Sequence, residues 1–387
     1  MRIGIATGTR ADWGLLQPLA SSLRKHGAEI RVFATHQHLM PDMGDTVAEI
    51  IADGFTPAER IPAEGSAARI MAMAAAGFAD ALPRHALDAL VILGDRCEML
   101  GVASAALLCG VPVVHVAGGT VSEGAFDDSV RHAITKMATL HFPETRACAE
   151  RLLRMGEDPA RVVTAGALGV SNTMTVSLMH REALTASLGG WDPGTDFLVV
   201  TLHAATLADG NPLEVQENML AALEALPEPM RMILTYPNSD VDPAPLIASL
   251  HDFAARMKGR ALVIPSLGRV RYLSAVALAR GVVGNSSSAL VEVPSLGTPA
   301  VDIGTRQSGR EHGPSVIHCG TSRPEIAAAL EQLLSPSMQQ LAARRINPYH
   351  HPDTPGVMTR TILSSHFHPY PSKHFHTYPP GAPEATT

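Results

Sequence analysis

Met99–Ser122, MLGVASAALLCGVPVVHVAGGTVS, carries no charged residue, and its reading decides the fold. An apolar stretch of this length passes a crude membrane filter. It also contains Pro112, His115 and several glycines, which divide it. The first part, MLGVASAALLC, reads as a helix and the second, VPVVHV, as a strand, so the stretch is a buried helix–strand pair rather than a membrane span.

Working outward, the same alternation recurs. In the first half, RIGIAT (2–7), EIRVFA (29–34), ALVILG (89–94), VPVVHV (111–116), TLHFP (139–143) and RVVTAG (161–166) read as strands, with amphipathic segments such as Gly14–Lys25 and Ala67–Leu82 between them. The second half repeats the plan with FLVVTLH (197–203), RMILTYP (231–237), ALVIPS (261–266), GVVGN (281–285), TPAVDIG (298–304) and SVIHC (315–319). Continuous apolar strands separated by helices indicate parallel sheets covered on both faces. The segment 171–196 ends in SLGGWDPGTD, whose Gly, Pro and Asp suit a boundary. The expected fold is α/β, with two Rossmann-like domains of parallel sheet facing across a cleft, 1–175 and 190–345. A C-terminal helix (346–366, centred on Val357–Ser365) and a His/Pro-rich, disordered tail (367–387) follow.

Composition agrees. A chain of 387 residues suggests about two domains. It is 46% hydrophobic and 17% charged, enough to bury sizeable cores. A net charge of −7 argues against a general nucleic-acid binder. Cys97, Cys109, Cys148 and Cys319 are scattered without a CxxC pair and read as reduced core thiols of a cytoplasmic protein. Thr7–Arg10 interrupt the N-terminal apolar run too early for a secretory signal. The His-rich tail repeats no ligand spacing, so no metal site is expected.

In open parallel sheets, ligands bind at the carboxyl ends of the strands. Five post-strand loops carry chemistry. TGTRADWG (7–14) is a Gly-containing turn opening a helix, which can present backbone N–H groups to an anion, with Arg10 adding charge; it lacks GxGxxG and is otherwise an ordinary strand-to-helix turn. LGDRCEM (93–99) places Asp95 at a strand end. Asp95 and Arg96 are either a surface ion pair or, with Glu98, part of a carboxylate site. GNSSSALVEVPSLGTP (284–299) sets Ser286, Ser287 and Ser288 at a helix start, more hydroxyls than capping needs and a ready phosphate cradle. Glu292, one turn deeper, can accept hydrogen bonds from ribose hydroxyls. DIGTRQSGREHG (302–313) carries Arg306 and Arg310, which can pair with a diphosphate or form a solvated basic loop. VTLHAATL (200–207) ends a strand on His203, whose titration near neutrality suits proton work. Between them, GAFDDSVRHAITKM reads as a helix with Phe126, Val130, Ala133, Ile134 and Met137 on its core face and Asp127 and Arg131 together on another.

Together TGTRADWG, LGDR, DDSVRHAITKMATLHF, TYPNSD, GRVRYL, VVGNSSSALVEVPSLGTPAVDIGTRQSGR and NPY resemble the UDP-N-acetylglucosamine 2-epimerase family. The closer match is its hydrolysing branch, which makes N-acetylmannosamine or a related sugar for sialic and legionaminic acids. The resemblance implies a glycosyltransferase-B type fold, UDP held mostly by the C-terminal domain, and a reaction without cofactor or metal. In that reaction the C2 proton is removed as UDP leaves C1, and water then adds to the glycal with inversion at C2. By position, the resemblance assigns Asp95, Asp127, Arg131 and His203 to catalysis, with Arg96 beside Asp95. It assigns Arg10, Ser286, Ser287 and Ser288 to phosphate, Glu292 to the ribose and Arg306 to the substrate site. A homodimer or higher homo-oligomer, cytoplasmic and with no membrane or nucleic-acid partner, is the corresponding expectation.

HVAGGT departs from the family pattern. Ala117 stands where a glutamate or histidine is common, Thr120 replaces a following glutamate, and Ala204 replaces a proline. Either Glu123, Asp127 or His203 supplies the missing function, or the chemistry has changed. Three readings follow: a hydrolysing UDP-sugar 2-epimerase, a relative acting on another nucleotide sugar, and a non-catalytic nucleotide-sugar binder.

Overall fold

The structure is a computed structural model that describes residues 1–40, 46–122, 126–204, 210–237, 243–368 and 372–377. The chain forms two compact units. Unit 1 holds the described residues of Met1–Thr120, Phe126–Ser171 and His351 onward; unit 2 holds those of Val121–Ala125 and Asn172–His350.

In unit 1, β1 (Arg2–Thr7), β2 (Glu29–Thr35), β3 (Pro57–Ile61), β4 (Ala89–Leu93), β5 (Val113–Val116) and β6 (Leu140–Phe142) form one sheet in the order β3-β2-β1-β4-β5-β6. Every neighbouring pair is parallel. Two apolar clusters lie against it: Ile3, Ile5, Leu16, Val91 and Val114 belong to one, Phe33, Phe78, Leu90, Ile92 and Val102 to the other. Burial on both faces explains why these strands read as unbroken apolar runs. β3 was not expected. Its sequence, PAERI, is polar because it is an edge strand, where Pro57 at the first position costs no ladder bond. Conversely, RVVTAG (161–166) is not a strand; only Val162 makes a bridge, to His141, directly after the 3-10 turn Pro159–Arg161.

In unit 2, β7 (Phe197–Thr201), β8 (Arg231–Thr235), β9 (Ala261–Ile264), β10 (Gly281–Gly284), β11 (Ala300–Ile303) and β12 (Val316–Cys319) lie in the order β12-β11-β10-β7-β8-β9, again all parallel. All six expected strands are present. Both sheets therefore share the doubly wound order, whose direction reverses between β1 and β4 and between β7 and β10. Such reversal points open crevices at the strands' carboxyl ends.

The opening stretch resolves into the helix Cys97–Leu108 and β5. No described helix is long and apolar enough to cross a membrane. The four cysteines are free thiols, but only Cys148 is a core residue; the other three are half-buried. Segment 171–196 holds the end of the helix Leu168–Thr175 and the helix Arg181–Ser187. The last helix, Thr354–Ser364, belongs to unit 1 and packs on the helix Arg10–Lys25, where Thr359 Oγ1 donates to Ser22 Oγ at 2.8 Å. The described part of the tail differs from the expectation of disorder. Lys373 donates to the Thr135 and Ala138 carbonyls at 2.9 and 2.7 Å, and its ammonium lies 2.6 Å from Glu157. The cause is a socket of carbonyls and a buried carboxylate, which tail composition does not reveal.

Candidate functional site

Unit 1 builds its site where β1 and β4 end. After β1, Thr9 caps the helix Arg10–Lys25, its hydroxyl oxygen accepting from the Asp12 N–H at 3.2 Å. Gly8 lets Glu98 pack closely here: a Cβ would come within 2.3 Å of Glu98 Oε1, which would have to shift. Glu98 is fully buried, and Arg96 Nε donates to it at 2.6 Å. The same Arg96 nitrogen is 4.0 Å from Asp12 Oδ2. Burial, opposed by Arg96 and assisted by Glu98, raises the Asp12 carboxyl to about 6. Arg96 therefore pairs with buried Glu98 rather than with Asp95, whereas Asp12 was not expected. Arg10 stays exposed, 3.6 Å from Glu49.

Asp95 follows β4 and pairs with Arg131 of the helix Phe126–Met137. Arg131 is 2% exposed and also donates to the Thr120 carbonyl at 2.6 Å and to Asp128 Oδ1 at 3.4 Å. Helical spacing placed Asp127 and Arg131 on one face; the tertiary fold brings Asp95 to Arg131 as well, with Asp128 alongside, and Asp127 is half-buried one position away. Phe126, expected on the core face, is 61% exposed. Its position at the first residue of the helix carries it past the apolar cluster that buries Ile134. Glu123 lies outside the described residues.

The HVAGGT loop acts as scaffold. Fully buried His115 joins the Gly94 carbonyl (2.9 Å) and Thr135 Oγ1 (3.2 Å), tying the loop that carries Asp95 to the helix that carries Arg131. Burial pushes His115 down to about 3, so it is neutral. Ala117 adopts φ +63°, a left-handed conformation uncommon outside glycine, and donates its N–H to the Phe142 carbonyl at 3.0 Å.

Unit 2 builds its site where β7 and β10 end. Gly284 (φ +147°) lets the two strands meet; a Cβ there would sit 1.8 Å from the Thr201 carbonyl oxygen. Next to it, buried Asn285 clamps His203: the His203 N–H donates to Asn285 Oδ1 at 2.7 Å, and Asn285 Nδ2 donates to the His203 carbonyl at 2.9 Å. The Asn285 carbonyl accepts from Arg306 Nη1 (3.1 Å) and Gln307 Nε2 (2.9 Å). His203, Asn285, Leu202 and Ile303 line a small recess. Burial, with Arg306 nearby, pushes His203 down to about 4, so the near-neutral titration expected from sequence is not what the fold imposes.

Ser286 and Ser288 are half-buried and Ser287 is exposed. They lead into a single turn, Ser288–Val291, and a second, Val293–Leu296, follows because Pro294 has no N–H with which to continue the first. Glu292 sits at this junction, its carboxyl raised by burial and held back by the Ser288 hydroxyl. Tyr272 donates to Ser288 Oγ at 3.0 Å. Arg306 and Arg310 turn to different partners: Arg310 Nε donates to the Val121 carbonyl at 3.1 Å and its Nη2 to Ser122 Oγ at 2.8 Å. Asn285, Gln307 and Tyr272 were missed because amides and phenols give no periodic signal. The asparagine of GNSSS, directly after a strand, was the available clue. Among the described residues no group of three or more His, Cys, Asp or Glu could hold a metal ion.

Comparison with known proteins agrees with this arrangement. The sequence profile of the UDP-N-acetylglucosamine 2-epimerase family matches residues 21–363. The chain is 32% identical to the GDP/UDP-N,N'-diacetylbacillosamine 2-epimerase (hydrolyzing) of Campylobacter jejuni, covering 88% of this chain and 89% of that one. It is 31% identical to the UDP-N,N'-diacetylbacillosamine 2-epimerase (hydrolyzing) of Legionella pneumophila, over 86% and 89% of the two chains. The structure of the UDP-GlcNAc 2-epimerase of Neisseria meningitidis bound to UDP-GlcNAc superposes with a TM-score of 0.80 at 16% identity, covering 94% of this chain and 100% of that one. The last likeness establishes the fold as the glycosyltransferase-B type of paired Rossmann-like sheets. On sequence and fold together, the chain belongs to the UDP-N-acetylglucosamine 2-epimerase family of enzymes.

Proposed function

We propose that this protein is a hydrolysing 2-epimerase of UDP-linked 2-acetamido sugars. The observation that carries the reading is the match over 88% of the chain to the Campylobacter jejuni hydrolysing 2-epimerase. The loops at both reversal points suit the chemistry. In unit 2, Ser286, Ser287, Ser288 and Arg306 would receive the diphosphate and Glu292 the ribose hydroxyls, with Arg310 bracing the loop. Arg10 and Arg96 of unit 1 would add positive charge. Asp95 and Asp127, with Arg131 fixing the first, would handle the C2 proton as UDP leaves C1 to give a glycal. Water then adds with inversion at C2. His203, neutral through the working range, would donate or accept a hydrogen bond toward the sugar, and Glu123 stays a candidate on sequence grounds.

The substrate is either UDP-N-acetylglucosamine, giving N-acetylmannosamine, or a differently substituted sugar. The second is favoured by the two relatives above, which are named for a diacetylated sugar. The test is incubation with UDP-GlcNAc and, in parallel, UDP-N,N'-diacetylbacillosamine in D₂O, following UDP and sugars by NMR. UDP with a C2-epimerised sugar bearing deuterium at C2 is expected from one of them. Release of the unepimerised sugar without deuterium would replace epimerisation by simple hydrolysis, and no turnover of either would overturn the reading.

A further inference from the structure

The described part of the tail, residues 372–377, lies beyond the stretch 21–363 that matches the family profile. It is docked on unit 1 by several contacts. Lys373 donates to the Thr135 carbonyl at 2.9 Å and to the Ala138 carbonyl at 2.7 Å, at the end of the helix Phe126–Met137. Its ammonium lies 2.6 Å from buried Glu157. A cation is favoured there, because a helix C-terminus presents carbonyls and the negative end of the dipole. Lys136 Nζ and His141 Nε2 reach the same carboxylate at 2.7 and 2.9 Å. Further along, the His376 N–H donates to the Gly156 carbonyl at 3.0 Å, and the Phe375 ring lies on Gly156, where a Cβ would come within 2.5 Å of it.

The residue that this clasp holds is tied to the Asp95–Arg131 pair by two routes. Thr135 is fully buried, with its hydroxyl oxygen 3.2 Å from His115 Nδ1, and His115 Nε2 is 2.9 Å from the Gly94 carbonyl. A carbonyl only accepts, so Nε2 carries the ring proton, Nδ1 accepts, and the Thr135 hydroxyl spends its one proton on the ring. Gly94 directly precedes Asp95, and Arg131, the partner of Asp95, lies one helical turn before Thr135. One member of the pair therefore depends on Thr135 through His115 and the other through the helix, while Lys373 fixes the Thr135 backbone. Resting on the 2-epimerase reading above, in which this pair handles the C2 proton, we propose that Lys373 is a positioning residue for the reaction. The tail clasps the end of the helix and thereby sets the aim of Asp95, without touching substrate or the reacting atoms. A reacting group misplaced by about 1 Å loses about 10²-fold in rate, so even a small slip of the helix end is readable in turnover.

The test uses the full-length protein and whichever UDP-sugar the wild type turns over. Lys373→Met is expected to lower kcat about 2- to 30-fold while UDP affinity, read by calorimetry, stays within about twofold. The split follows because the residues assigned to the diphosphate and ribose in unit 2 lie outside the clasped unit. Lys373→Arg, which returns a cation with several donors, recovers part of the rate. Thr359→Val controls for stability alone: it removes the bond to Ser22 elsewhere in unit 1 and should lower Tm with kcat unchanged. Adding Lys373→Met to Thr135→Val should cost less than adding it to the wild type, because both act through one residue. The buried His115 Nε2–H proton gives a readout independent of turnover; its NMR signal should shift in Lys373→Met and stay in place in Thr359→Val. Wild-type kcat in Lys373→Met, an equal kcat loss in Thr359→Val, losses additive with Thr135→Val, or an unmoved His115 proton each overturn the assignment. A wild type that releases no UDP from any UDP-sugar refutes the 2-epimerase reading, and the catalytic role of Lys373 falls with it even where the His115 proton moves.

Discussion

Asn285 and His203 hold each other by two hydrogen bonds, His203 N–H to Asn285 Oδ1 at 2.7 Å and Asn285 Nδ2 to the His203 carbonyl at 2.9 Å. The ends of β7 and β10 are thereby locked at the reversal point of unit 2. Asn285→Ala removes both of these hydrogen bonds at the end of β7, at about 0.5–1.5 kcal/mol for each. Melting should fall by about 2–4 °C per kcal/mol for a unit of this size. Asn285→Asp keeps the acceptor but sets a carboxylate against the His203 carbonyl, so it should not rescue. An unchanged Tm in both variants would show that the clamp is not structural.

The proposed function separates two site residues. His203→Ala should reduce kcat about 10²–10⁴-fold while UDP affinity, read by calorimetry, stays near the wild-type value. Glu292→Ala should do the reverse, weakening UDP mainly. Full activity in His203→Ala would remove it from the sugar chemistry.

Stability should fall on acidification. His38 and His203 are pushed down to about 4 and His115 to about 3, all by burial, so their unfolded forms bind protons first. Their contribution is complete above about 6.5 and is lost as pH falls toward 4 and, for His115, toward 3. Glu157, held down to about 2 by His141, Lys136 and Lys373 against its burial, adds a loss below about 4.5. Asp12 acts in the opposite sense: raised to about 6, it destabilises as pH rises from about 4 through 6. Urea midpoints should therefore drop between pH 7 and 4.5, and drop more steeply in Asp12→Asn, which lacks the opposing titration. Equal slopes in the two proteins would argue against a buried, proton-holding Asp12.

Ala117 at φ +63° sets a contrast between substitutions. Glycine removes a strain of about 1–2 kcal/mol but adds about 0.5–1 kcal/mol of chain entropy, so Ala117→Gly should leave Tm unchanged or slightly higher. Ala117→Val, β-branched, should lower it clearly. A stabilising valine would mean that the loop does not hold this conformation in solution.

The tail should matter to unit 1. Lys373→Met removes the ammonium donor from the Thr135 and Ala138 carbonyls and one cation from Glu157, at a cost of about 1–3 kcal/mol. Differential scanning calorimetry reads this directly; an unchanged unfolding profile would show the contact to be dispensable.

Runs such as ALVILG and FLVVTLH determined the two parallel sheets without help, because a strand buried on both faces must be apolar throughout. The same logic hid β3, whose polar residues reflect its edge position, and overstated RVVTAG, whose apolar residues pack without a ladder. The loops at strand ends were also legible, since parallel topology puts ligand chemistry there. Which side chains meet in those loops was decided only by the tertiary structure. Arg131 lies beside Asp128 in sequence but is claimed by Asp95 because β4 and the helix Phe126–Met137 converge. Asp12 resembles any first-turn acid until Arg96 is seen to be committed to Glu98. Periodicity records which face of an element is buried. Pairing across elements depends on strand order, and burial of a charge depends on what its neighbours have already bound.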